Sequence, residues 1–290
     1  MFLDSLSFLH QEPERKSQND GEPTIMDKTL QREINLARNI QTKLLNGPTP
    51  KVGGGEVTGT SLPARLIGGD YYDFYPLVNG KLRIVIGDVM GKGIPAAMLM
   101  ILTRGAFRSA AESTQGPGDT LTAMNRALYN DLRSLKSFVT LFCADWDPST
   151  KTLTYASAGH CMPLHISGEK ETINELPRVS GIMVGGLINQ VYQEKCIQLD
   201  DKDIVFFYTD GIIEAVNKKK EQFNLHRLIE TLNNNCTKGV DELGSAVIDA
   251  INAFAEGTAQ KDDITMVLLK IQKDKSNVSS YNSPVMNIEE

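Results

Sequence analysis

Five short segments carry the residues of this 290-residue chain that could do chemistry. They read Gly68-Gly69-Asp70-Tyr71-Tyr72-Asp73, Gly87-Asp88-Val89-Met90-Gly91-Lys92-Gly93, Ala158-Gly159-His160, Thr209-Asp210-Gly211 and Lys261-Asp262-Asp263-Ile264-Thr265. Three of them abut apolar, β-branched runs: Leu82 to Ile86 precedes Asp88, Ile204 to Tyr208 precedes Asp210, and Ile264 to Leu269 follows Asp263. Such runs predict buried strands. Their acidic ends then sit at sheet edges, beside glycines that let backbone approach closely. Carboxylates converging there repel one another unless cations lie between them, and a hard, all-oxygen donor set suits Mg²⁺ or Mn²⁺. Two such ions can activate a water and neutralise phosphoryl oxygens, which hydrolysis of a phosphomonoester requires.

Each segment alone is ordinary, since Asp-Gly satisfies turn geometry cheaply. Their joint order and wording resembles the SpoIIE/RsbU branch of the metal-dependent protein phosphatases (the PPM or type 2C group), over roughly residues 52 to 272. The resemblance implies an α+β fold of two stacked antiparallel β-sheets flanked by helix pairs, with Mg²⁺ or Mn²⁺, two per domain, in a cleft at one end. It implies that Asp88 bridges both ions, that the peptide oxygen of Val89 adds a ligand, that Asp210 and Asp262 hold one ion, and that Asp70 orders the water shell of the other. Asp88 and Asp70 are thereby the catalytic pair. Arg65 stands five residues before Asp70, where the wider family places a phosphate-binding arginine. A guanidinium fork matches phosphate geometry, although an arginine in such a loop is ordinarily just solvated. Asp73 and Asp263 are open between a direct role and accepting hydrogen bonds in a turn.

Two departures from eukaryotic-type members matter. Met90 stands where those carry a histidine, which leaves the general acid unassigned, and Gly69-Asp70 replaces Glu-Asp, so one supporting carboxylate is missing. His160 reads as a turn histidine bonding backbone across a hairpin, with substrate contact as the alternative. Lys218-Lys219-Lys220 reads as a solvated loop that might otherwise guide an acidic protein substrate.

Composition narrows the class. A net charge of −6 and a pI near 5.4 argue against a nucleic-acid binder, which carries a basic stripe. Four scattered cysteines without a C-x-x-C pair disfavour zinc and disulfides and fit reduced thiols in a cytoplasmic protein. No apolar run approaches a membrane span, and Met1 to Leu9 lacks the basic start of a signal peptide.

The elements that must position these residues follow from periodicity. Residues 10–23 and 273–290 are polar, and the segments 1–24 and 273–290 are expected to be disordered. Residues 25–47 predict an amphipathic helix, capped by Thr24 or Asp27, with Leu30, Ile34, Ala37, Ile40, Leu44 and Leu45 on one stripe and Asn46-Gly47-Pro48 as its stop. After the Gly53–Gly55 joint comes a strand from Glu56 to Leu62. Pro95 opens a helix, and Asp119 caps a second from Thr120 to Leu135. Strands are predicted from Phe138 to Trp146, Leu153 to Ala158, Val191 to Leu199, Ile204 to Tyr208 and Ile264 to Ile271. Helices are predicted from Asn224 to Asn233 and Val240 to Phe254, with Trp146, Met98 and Met100 in the core.

The function implied by the resemblance is a serine/threonine phosphoprotein phosphatase acting on a phosphorylated anti-anti-sigma protein of the STAS fold in bacterial partner switching. A homodimer through residues 27–45 is part of that expectation. Two other readings stand beside it: a catalytically weak phosphatase-fold binding module, and a hydrolase of small phosphomonoesters. Asp88, Asp210 and Asp262 are all present, against the first. No glycine-rich nucleotide loop supports a nucleotide substrate for the second.

Overall fold

The structure is a computed structural model describing residues 25–45, 47, 49–169 and 172–272. The tails at 1–24 and 273–290, and the helix-flanking Thr24, Asn46 and Pro48, lie outside the described residues. Helix α1 (Ile25–Leu45) comes first, followed by β1 (Gly55–Leu62), β2 (Tyr71–Pro76) and β3 (Leu82–Val89). Next are α2 (Ile94–Ser113), α3 (Pro117–Ser134), β4 (Val139–Asp147), β5 (Thr152–Ala158), β6 (Leu164–Ile166), β7 (Ile173–Glu175), β8 (Lys195–Gln198) and β9 (Ile204–Tyr208). The chain closes with α4 (Gly211–Glu214), α5 (Asn224–Asn235), α6 (Val240–Ala255) and β10 (Ile264–Ile271). One antiparallel sheet has the order β1-β10-β9-β6-β7 and the other β2-β3-β4-β5-β8.

Strand alternation decides which side chains meet. Leu82, Ile84 and Ile86 of β3 join Val205, Phe207, Val267 and Leu269 in the core between the sheets. Val85 and Val89 face the other way, onto α2 and α3. Phe206, Tyr208, Met266 and Leu268 pack outward against α5 and α6. Strands covered on both faces need near-continuous apolar sequence, so β3, β9 and β10 stood out as runs. The result is the expected α+β sandwich of two sheets between helix pairs.

Several expectations need correction. Asp119 lies in the first turn of α3, whose N-cap is Gly116, and Asp27 lies inside α1. Of the run from Val191 to Leu199 only Lys195–Gln198 pairs, against β5, because the residues before it join an irregular segment. Met98 is 70% exposed, whereas Trp146 and Met100 are buried. Strands β6 and β7, three residues each, and the four-residue α4 were not foreseen.

Helix α1 touches the domain lightly. Gln41 is buried and Ile34, Leu44 and Leu45 are half-buried, while Leu30 and Ile40 of the apolar stripe are 54% and 60% exposed. Among the described residues, Leu30 and Ile40 of the stripe are left uncovered.

Candidate active site

Strand parity carries Asp88 to the site. It continues the Leu82, Ile84, Ile86 face into the inter-sheet cleft, one residue before β3 ends. Asp70 enters just before β2, on the parity of Tyr72. Across the cleft, Thr209 follows Val205 and Phe207, and donates its hydroxyl to Asp70 Oδ2 at 2.8 Å. Asp210 follows directly, and Asp262 lies two residues before β10. One end of the cleft thus gathers Asp70 and Asp88 from one sheet with Asp210 and Asp262 from the other, and the Val89 carbonyl lies beside Gly69.

These carboxylates act on one another. Burial, then the charges of Asp210, Asp262 and Asp263, push Asp88 up to about 7. Burial, then Asp88, holds Asp70 well above the usual carboxylate range, against hydrogen bonds from Thr265 and Thr209. Asp210 is raised by burial and by Asp262, with Lys92 opposing. Glu214, on α4 one turn beyond Asp210, is raised by burial and the same two neighbours. The cluster is loose: among the described residues no three His, Cys, Asp or Glu side chains close tightly enough to enclose an ion. The donor chemistry nevertheless fits a hard divalent cation, being oxygen throughout, and mutual repulsion is what such a cation relieves.

The two undecided carboxylates part company with the site. Asp263 accepts the Ala64 N–H at 2.7 Å, the Gly69 N–H at 2.6 Å and the Asp70 N–H at 3.3 Å. It therefore fixes the backbone that presents Asp70, and a Cβ at Gly68 would collide with it. Asp73 lies on the opposite face of β2 and takes Arg108 Nε at 2.8 Å and Nη2 at 2.6 Å, plus the Tyr71 hydroxyl at 3.0 Å. That carboxylate ties α2 to β2. Gln41 reaches from α1 to grip both sides of Gly68, donating to its carbonyl at 2.7 Å and accepting its N–H at 3.1 Å.

Arg65 is exposed beside Gly93, at the rim of a shallow cavity of about 340 Å³ that Lys92 also lines. His160 pairs through Nδ1 with Thr140 Oγ1 at 2.9 Å, and the backbone it bonds is that of Tyr208 on β9 of the other sheet, not of its own hairpin. Burial depresses this histidine to about 4 and keeps it neutral. Thr140 is the cross-strand partner of Asp88, so His160 backs the cleft from a second layer. Lys218, Lys219 and Lys220 are exposed on a turn closed by the Val216–Gln222 bridge.

Sequence reasoning gave no role to Lys92, Thr209, Gln41 or Glu214. Lys92 lay inside a quoted motif, between two glycines, and that was the available signal. Gln41 looked like one polar residue of an amphipathic helix, and its partner is 27 residues away.

A carboxylate cluster at the open end of two stacked antiparallel sheets, each backed by a helix pair, defines a PPM-type metal-dependent phosphatase. The Stage II sporulation protein E (SpoIIE) family matches residues 79–272, and the chain belongs to that family, among the serine/threonine protein phosphatases. It is similar to the phosphoserine phosphatase RsbU of Bacillus subtilis, 28% identical over 249 residues, covering 84% of this chain and 72% of that protein. It is also similar to protein IcfG of Synechocystis, 30% identical over 270 residues, covering 84% of this chain and only 42% of that protein. The SiaA-PP2C domain of Pseudomonas aeruginosa superposes with a TM-score of 0.76 over 86% of this chain and 99% of that one, at 20% identity. At that identity the likeness speaks for the fold.

Proposed function

We propose that the chain hydrolyses the phosphate ester of a serine or threonine in a phosphorylated STAS-fold anti-anti-sigma protein, as a step in bacterial partner switching in the cytoplasm. The similarity to a phosphoserine phosphatase supports the substrate class. The observation that carries the reading is the convergence of Asp70 and Asp88 from one sheet with Asp210 and Asp262 from the other, where burial and then the neighbouring carboxylates push Asp88 up to about 7. In this reading Asp70, Asp88, the Val89 carbonyl, Asp210 and Asp262 would hold Mg²⁺ or Mn²⁺, two ions to the domain. Bound there, the ions supply an activated water and neutralise phosphoryl oxygens.

The chain's own residues do the rest. Thr209 and Asp263 hold Asp70 in place through its carboxylate and its backbone. Arg65, exposed at the rim, is positioned to take the substrate phosphate with its guanidinium fork. Met90 carries no titratable proton, so leaving-group protonation does not fall to that position. Helix α1 pairs with its copy in a second chain, a reading supported by the exposure of Leu30 and Ile40.

The test is hydrolysis of an aryl phosphate and of a phosphoserine STAS protein with Mn²⁺, with chelator, and by Asp88→Asn. Activity that requires Mn²⁺ and vanishes in Asp88→Asn is expected. Near-normal Mn²⁺-dependent turnover in that variant would overturn the assignment.

A further inference from the structure

The strongest unassigned feature is a cation already seated on one of the site's carboxylates. Lys92 Nζ lies 2.7 Å from Asp262 Oδ2 and donates to the Lys261 carbonyl at 2.6 Å. These contacts join the β3–α2 loop to the α6–β10 loop across 169 residues of sequence. The ammonium also acts beyond its direct partner: it is the one cation among the charges that pull on Asp210 and Glu214. Lys92 thus neutralises the side of the cluster that Asp210 and Asp262 form.

The loop that carries it turns on two glycines. Gly91 and Gly93 flank Lys92 with φ of +102° and +71°, conformations that other residues rarely adopt. Lys92 is exposed and stands between two openings. One is a cavity of about 300 Å³ edged by Glu214, Gln222, Asn252 and Asp262, and the other is the shallow cavity edged by Arg65. A flexible four-carbon stem with a compact charge can reach either.

We propose that Lys92 is an exchangeable internal cation: it occupies Asp262 until a divalent ion takes that carboxylate, and the displaced ammonium then contacts the substrate phosphate beside Arg65. This rests on the phosphatase reading above. An ammonium and a divalent ion compete for one carboxylate, so filling the site and arming the phosphate pocket become a single event. By linkage, whatever Lys92 contributes to holding Asp262 is subtracted from the apparent metal affinity. A half-exposed ion pair is weak, so the subtraction is modest and metal displaces Lys92 readily.

The experiment titrates Mn²⁺ into metal-stripped full-length protein by calorimetry, for wild type, Lys92→Met and Lys92→Arg. Lys92→Met should bind Mn²⁺ about three-fold more tightly, since its competitor is gone, and Lys92→Arg should remain near wild type. At saturating Mn²⁺, KM for a phosphoserine peptide should rise about ten-fold in Lys92→Met and largely recover in Lys92→Arg. Unchanged or weaker Mn²⁺ binding by Lys92→Met overturns the exchange and leaves a loop staple; an unchanged KM overturns the phosphate contact. A wild type that hydrolyses nothing with Mn²⁺ fails the phosphatase reading instead, and the calorimetry still decides whether Lys92 competes.

Discussion

Individual side chains in this site are defined by what surrounds them more than by type. Asp262 and Asp263 are neighbours in sequence, yet one pairs with an exposed lysine and the other accepts three backbone N–H groups. Asp263→Ala removes the acceptor that holds the N–H groups of Ala64, Gly69 and Asp70, so it should cost on the order of 2–4 kcal/mol in urea unfolding. Asp263→Asn should lose less. His160 gives the pH prediction. Its folded value near 4 lies below the ordinary histidine value of about 6.5. The unfolded chain therefore binds the proton first, and stability falls as pH drops from about 6.5 towards 4. Between pH 7 and pH 4.5 the wild type should lose about 2–3 kcal/mol more than His160→Gln in chemical denaturation. Parallel losses in the two proteins would return His160 to a group that titrates normally.

Among the elements, α1 is the one whose apolar stripe is only partly covered by the other described residues. A helix of 21 residues that buries little within its own chain gains most of its stability from packing elsewhere. With the pairing proposed for α1, Leu30→Asp with Ile40→Asp should convert a dimer to a monomer in light scattering and leave the thermal stability of the domain nearly unchanged, since both positions are exposed; a wild type that is monomeric overturns the pairing. Gln41→Ala should act differently, losing about 1–2 kcal/mol and part of the activity, because it frees Gly68 next to Asp70. The strands β3, β9 and β10 were legible because burial on both faces writes itself as an unbroken apolar run. β6 and β7 were not, because three residues are too few to show a period. Met98 misled for a related reason: α2 is apolar nearly all round, so composition did not say which side meets the sheet. The place of Asp88 at the cleft end of β3 was legible from the apolar run before it, whereas the job of Asp263 depends on partners about 200 positions away, which no local pattern records.

The whole molecule is two helix-backed sheets, and its site is a seam. Asp70 and Asp88 belong to one sheet and Asp210 and Asp262 to the other, so their spacing is set by how the inter-sheet core packs. Phe142 and Phe207 meet edge-to-face across that core, with ring centroids 5.8 Å apart. Phe207→Ala should cost about 3–5 kcal/mol, and it should also weaken Mn²⁺ binding although no liganding group has changed. Retained Mn²⁺ affinity in a folded Phe207→Ala protein would show that each half holds its carboxylates independently. The buried Arg83 makes the same point within one half. Its fork grips Asp145 at 2.7 Å twice and reaches Thr120 at 2.6 Å, joining β3 and β4 to the start of α3. Removing it alone leaves a buried carboxylate unpaired.

The pairing of β10 has a consequence for how the protein is made. This strand slots between β1 and β9, aligning Ile271 with Gly55 and Lys270 with Ile204. A nascent chain halted before Ile264 would already contain Asp70, Asp88, Asp210 and Asp262, yet the strand that joins β1 to β9 would not have been made. Synthesis itself would then act as a safety catch, withholding hydrolysis from every incomplete copy until the final strand emerges and zips the sheet closed.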